Sequence, residues 1–158
     1  MRQIITTSLT LIFFMLAGAV SAGDCLPLCD NEFWRKTLPT LDEVQSESNK
    51  GADINGRGFG GQTPLHYAVH LSGRKAENAV ALIQAGANVN ARDNSGHTPL
   101  MLAVKRQNAK VVNILLDAGA NAQLRNRRKE IAFDYARGKP EWIDHLSTYK
   151  LLKAASGE

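Results

Sequence analysis

Cysteine occurs only at positions 25 and 29 of this 158-residue chain. No disulfide framework can therefore hold the body of the chain together, and no Cys-x-x-Cys pair is present for dithiol chemistry. Charge of one sign is also lacking. The formal net charge is +4, with acids gathered early (Asp24, Asp30, Glu32, Asp42, Glu43, Glu47) and bases late (Arg125, Arg127, Arg128, Lys129). That balance lacks the concentrated basic reading surface of a nucleic-acid binder. The glycine-rich run at residues 56–61 lacks the Gly-Lys-Ser/Thr ending and the preceding strand of a phosphate loop. His66 and His70 stand four apart on one helix face, but Tyr67, Ala68 and Val69 between them supply no acid, so the zinc-protease pattern is missing. No serine sits in a nucleophile motif with a paired histidine and carboxylate. Nothing in these patterns points to an enzyme, a cofactor or a metal.

The first residues have their own pattern. Arg2 precedes an uncharged stretch over residues 3–23 whose densest apolar part is residues 11–19, and Val20 and Ala22 supply small residues at the minus-three and minus-one positions. A basic start, an apolar middle and a small-residue exit make a signal peptide, here over residues 1–22 with cleavage after Ala22. Thr6, Thr7, Ser8 and Thr10 dilute the segment below what a membrane anchor needs. Asp24 stands where a lipidated Cys25 would need a small neighbour. The expected destination is periplasmic or secreted, with no stable membrane anchor. In an oxidising compartment Cys25 and Cys29 read as a local disulfide that staples the N-terminal edge and contributes little to overall stability. The alternatives for this pair are a thiol or metal-handling role.

The body of the chain repeats itself. Gly51-Ala52-Asp53-Ile54-Asn55 returns as Gly86-Ala87-Asn88-Val89-Asn90 and as Gly119-Ala120-Asn121-Ala122, the glycines lying 35 and 33 residues apart. Thr63-Pro64-Leu65-His66-Tyr67-Ala68-Val69 returns in step as Thr98-Pro99-Leu100-Met101-Leu102-Ala103-Val104. Each phrase has a mechanical meaning. Threonine caps a helix while proline takes the first helical position, where its missing N–H is not needed. Apolar pairs such as Leu82-Ile83 and Leu115-Leu116 precede the glycines, which stop a second helix in the left-handed conformation. Segments rich in Asn, Asp and Gly, such as residues 90–97, form extended hairpin-like loops between the units.

These phrases and their period resemble the ankyrin repeat. The resemblance covers roughly residues 24–154 and implies an all-α fold, a short α-solenoid of helix-turn-helix repeats with hairpin-like loops. It divides the chain into an N-terminal capping repeat (23–56), two central repeats (57–90 and 91–122) and a degenerate repeat with a C-terminal cap (123–158). The first central repeat carries two extra residues near Ser72-Gly73, placed in the turn between its helices. Met101 replaces the family's usual histidine in the second. In the front cap, Asp30 opens a helix carrying Phe33 and Trp34, Thr40 opens the next, and Ser48 replaces an apolar residue. At the back, Ile131-Ala132-Phe133 fills the Thr-Pro-Leu slot, Lys129 fills the loop-glycine slot and Ala136 stays in phase. Its second helix is expected from Pro140, with Trp142, Ile143, Leu146, Leu151 and Leu152 covering the open end, each stabilising by roughly 1.5–3 kcal/mol when buried.

The resemblance also implies a protein-binding module rather than an enzyme. At His66, the family's histidine position, it implies a structural side chain bonded to loop backbone. The family's variable contact positions fall on Phe59, Gly60, Gln62, His70 and Leu71 in the first central repeat. In the second they fall on Arg92, Asn94, Ser95, His97, Lys105 and Arg106, and in the degenerate repeat on Arg127 and Arg128. Phe59 is the candidate aromatic anchor, and the basic residues point to an acidic protein partner. A signal peptide ahead of such repeats implies, again through the resemblance, a bacterial envelope protein. The competing readings are a thiol or metal protein using Cys25 and Cys29, and a host-directed secreted effector.

Overall fold

The computed structural model describes residue 28 and residues 41–71, 76–139 and 146–157. The expected signal peptide, Cys25, Cys29, the expected Asp30 helix with Phe33 and Trp34, Thr40, Ser72-Gly73, Pro140, Trp142 and Ile143 lie outside the described residues. The described helices are α1 (Leu41–Asn49), α2 (Pro64–Leu71), α3 (Glu77–Gln84), α4 (Pro99–Lys105), α5 (Ala109–Asp117) and α6 (Leu146–Ser156). Single 3-10 turns occupy Phe59–Gly61 and Ala132–Tyr135. The described residues contain no strand. The architecture is an all-α solenoid of helix pairs.

The start of α4 and the glycine stops follow the chemistry read from the repeats. Thr98 Oγ1 accepts the Met101 N–H at 3.3 Å, with Pro99 opening α4. Asn108 Oδ1 accepts the Val111 N–H at the start of α5. Gly51, Gly86 and Gly119 all have positive φ, at 101°, 93° and 83°. After α3, the Gly86 N–H reaches the Ile83 carbonyl and the Ala87 N–H reaches that of Leu82. Gly119 and Ala120 repeat the pair of bonds to Leu116 and Leu115. These are double-bonded helix ends in which a left-handed residue satisfies carbonyls the helix leaves open.

The helices pack as pairs and then as rows. α2 lies on α3 and α4 on α5, while α2 meets α4 and α3 meets α5 across the repeat boundary. Leu65, Ala68, Leu82, Leu100, Ala103, Val104, Val111, Val112 and Leu115 are buried in one continuous core. Ala68, Ala103 and Ala136 keep the repeat phase and are all fully buried. Their small side chains let neighbouring first helices approach closely. Five residues, 72–76, separate α2 from α3, against three, 106–108, between α4 and α5. In α1, Val44 is buried whereas Ser48 is only half-buried.

The C-terminal end departs from expectation in two ways. The slot of Ile131, Ala132 and Phe133 folds into one 3-10 turn, not a full helix, and the Ile131 N–H is held by the Asp134 carboxylate at 2.8 Å. Isoleucine offers no oxygen to cap the slot itself. Leu151 does not cover the stack: it is 53% exposed, while Leu152 and Thr148 are buried. Successive residues on an α-helix point about 100° apart, so the face that buries positions 148 and 152 turns 151 outward. Tyr149 packs on Phe133 instead, with ring centroids 5.2 Å apart.

Two loop positions test this geometry. Gly96 has φ +79°, and a Cβ there would sit 3.0 Å from the Arg127 nitrogen and 3.2 Å from Asn126 Cα, whereas Gly119, at φ +83°, has open space around it. Gly96→Ala is expected to cost more than Gly119→Ala, about 2–3 kcal/mol against about 1 kcal/mol in urea unfolding. Lys129 holds φ 64° without being glycine, so Lys129→Gly should gain up to about 1 kcal/mol. Equal losses at positions 96 and 119 would show that the neighbouring loop does not press on Gly96.

Candidate functional site

The loops and the first helices carry the residues singled out by the sequence. Three loops close by the same bonds: Gly58 N–H to Gln62 carbonyl, Asp93 to His97 and Asn126 to Glu130, at 2.8–2.9 Å. Neighbouring loops are also tied edge to edge. The Asn94 N–H donates to the Gly60 carbonyl at 2.9 Å, and the Arg127 N–H to the Ser95 carbonyl at 3.0 Å. In the second loop Asp93 Oδ1 accepts the Ser95 and His97 amides, and in the third Asn126 Oδ1 accepts those of Arg128 and Glu130. Gly58 holds this place in the first loop and has no side chain to do the same.

His66 links the first helix row to the loops. Its Nε2 faces the His97 carbonyl at 3.0 Å, so that nitrogen carries the proton. Nδ1 is then the acceptor for the Thr63 N–H at 3.2 Å and the Thr63 hydroxyl at 2.9 Å. Burial holds the ring's pKa below the ordinary histidine value, against the opposing pull of the His97 carbonyl and Asp93. Both nitrogens are engaged within the fold, which is the structural role the family resemblance implied.

Between the second and third loops the polar groups converge. His97 Nδ1 lies 3.4 Å from Asp93 Oδ2, and its Nε2 lies 3.1 Å from the Tyr135 hydroxyl. The Tyr135 hydroxyl donates to Glu130 Oε2 at 2.8 Å and accepts from Asn126 Nδ2 at 2.9 Å. Asn126 Nδ2 also reaches Glu130 Oε2 at 2.7 Å. Burial first, and then the hydrogen bond to Glu130, push the Tyr135 phenol up to about 12. Hydrogen bonds from Asn126 and Tyr135 hold the Glu130 carboxyl below its ordinary value. An Asp–His–hydroxyl line is the outline of a nucleophile triad. A phenol whose proton is held by a carboxylate, and whose pKa is raised, is the reverse of an activated nucleophile. The line works as a brace between two loops.

Beside this brace opens a cleft of about 250 Å3 lined by Asn94, Ser95, His97, Lys105, Asn126, Arg127, Arg128 and Tyr135. Six of these were singled out by the sequence, from two different repeats. Phe59 stands apart at the tip of the first loop, 94% exposed. Gly60 beside it carries the carbonyl bonded to Asn94, and Gln62 is half-buried. His70 and Arg106 are brought together, the guanidinium lying 2.8 Å from the imidazole. Burial, then Arg106 and Lys105, hold the His70 pKa below its ordinary value. Leu71 ends α2.

Arg92 has a different place from the tip residues. Its guanidinium donates to the Arg125 carbonyl, as that of Arg57 donates to the Arg92 carbonyl. The three arginines keep the repeat spacing, and the folded chain joins them into a stacking ladder. Asn126 and Tyr135 were missed. Asn126 was findable, because it stands in the phase of Asp93, but Tyr135 stands in the phase of Leu102 and only the folded third loop brings its hydroxyl to the cleft.

The fold and this row of loops define a repeat scaffold, a class that presents a surface assembled from many short units. A family model for ankyrin repeats, in three copies, matches residues 37–126, more than half of the chain. The chain belongs to the ankyrin-repeat family, whose members are typically non-enzymatic modules that bind other proteins. No curated protein matches the chain.

The buried His66 makes stability depend on pH. Its folded pKa is lowered from 6.5, so the unfolded chain binds the proton more readily. Stability is complete above about pH 6.5 and falls as pH drops from there through the lower folded pKa. Urea unfolding between pH 7.5 and 5 should show this loss, and His66→Gln should flatten it while lowering stability at pH 7.5 by about 1–2 kcal/mol. An unchanged slope in the variant would assign the loss to other groups.

Proposed function

We propose that this chain is an exported, non-catalytic module that grips a protein partner along the row formed by its loop tips and the ends of its first helices. The observation that carries the reading is Phe59. A phenylalanine left 94% exposed on a glycine-flanked tip has no role in the core, and aromatic side chains in such positions are the residues most able to anchor a partner. The tip is tied through Gly60 to the second loop, so anchor and cleft belong to one rigid row. The second helices are occupied otherwise: they bury Val111, Val112 and Leu115 and pair Lys110 with Glu77 across the repeats at 2.9 Å.

Export rests on the pattern of residues 1–22, which supports a periplasmic or secreted location. Among the described residues no helix is long and apolar enough to cross a membrane.

Affinity capture on the immobilised chain, with mass spectrometry of what is retained, tests the module. Phe59→Ala should weaken the retained partner's binding about tenfold or more, while Lys110→Ala on the opposite side should leave it within twofold. Equal binding by Phe59→Ala would remove the tip from the interface. N-terminal sequencing of the exported product should begin at Gly23; an intact Met1 terminus would sink the processing step.

A further inference from the structure

The cleft between the second and third loops has a chemical character of its own. Lys105, Arg127 and Arg128 surround it, and no carboxylate lines it. Among the described residues, none of these three cations has an acid within ion-pair distance, although Lys50, Lys110 and Arg137 each do. The nearby acids are committed. Asp93 holds the Ser95 and His97 amides and faces the His97 ring, and Glu130 holds Asn126 and the Tyr135 hydroxyl while feeling the charge of Arg128 from beyond ion-pair distance.

The walls are also fixed before anything enters. Asn126 is bonded on both its amide nitrogen and its oxygen, and the Arg127 backbone is pinned to Ser95. A site whose donors are already placed loses little freedom on binding. α4 runs seven residues to Lys105, whereas its counterpart is the turn Ala132–Tyr135, and Lys105 at the end of α4 is exposed and lines the cleft.

Resting on the reading that this row receives a protein, we infer that the cleft is a subsite for an acidic side chain, and that the partner presents an aspartate or glutamate there in an exposed segment. The carboxylate meets Lys105 and Arg128 as charges, with Arg127 at the rim and the Ser95 hydroxyl and Asn94 amide as neutral donors. About 250 Å3 accommodates such a side chain with its waters. Three cations on one small cleft favour a single acidic group over the long run of phosphates that a nucleic acid would lay along the surface.

The test titrates the isotope-labelled full chain with hexaglutamate, with hexaglutamine as the neutral control and with inorganic phosphate, following amide signals by NMR. Hexaglutamate should move the backbone signals of Ser95, Arg127 and Arg128 and the Asn126 side-chain amide, and hexaglutamine should not. Lys105→Glu combined with Arg128→Glu should weaken the hexaglutamate effect about tenfold or more. If that pair lowers the melting temperature, Lys105→Ala with Arg128→Ala serves instead, with the same direction expected. Unmoved signals, equal affinity in the variant, or phosphate acting as strongly at equal concentration would each overturn the acidic side-chain subsite. A partner whose capture depends on Phe59 but not on Lys105 and Arg128 would remove the subsite and leave the module standing. Hexaglutamate binding without any Phe59-dependent partner would do the reverse.

Discussion

Asn55 and Asn90, the asparagines that follow the first two Gly-Ala turns, hold one repeat to the next. Asn55 Oδ1 accepts the Asn88 N–H at 2.7 Å while its Nδ2 reaches the Gly86 carbonyl at 3.4 Å, and Asn90 does the same to Asn121 and Gly119. One side chain thus satisfies a donor and an acceptor on the turn of the following unit. A slip of one residue would break both bonds together and leave those backbone groups unpaired. The arginine rungs from Arg57 and Arg92 add a second tie beside it. Because the turns are held in register, the helix pairs meet face to face and the loops line up along one edge.

That register separates the residues the stack requires from those it leaves free. His66 and Arg92 are drawn into holding neighbours together, and Arg106 into a pair with His70. Phe59, Lys105, Arg127 and Arg128 remain at the exposed row of tips and helix ends. The surface such a scaffold presents is a property of the row, since no single loop carries both the exposed Phe59 and the cation-lined cleft.

The repeat units were legible because their signals are local. A threonine before proline and a glycine after an apolar pair each act within a few residues of chain, and their recurrence carries the architecture. The C-terminal unit was harder to read. Ile131 lacks the hydroxyl that marks a helix start, and the local pattern did not distinguish a turn from a helix there. The pair Leu151 and Leu152 was equally apolar on paper, and only the packing of α6 selected Leu152 for burial.

By itself the sequence determined the helix-pair repeat, its period and the positions of the left-handed stops. Those properties follow from backbone conformation and capping, which are decided between near neighbours. The tertiary structure alone decided which projecting side chains meet. It placed the Tyr135 hydroxyl against His97 and Asn126, drew Arg92 into the stack and gathered Lys105 with Arg127 and Arg128 around one cleft. Most of these meetings join residues some 20 to 40 positions apart, beyond the reach of capping and turn patterns that act between near neighbours.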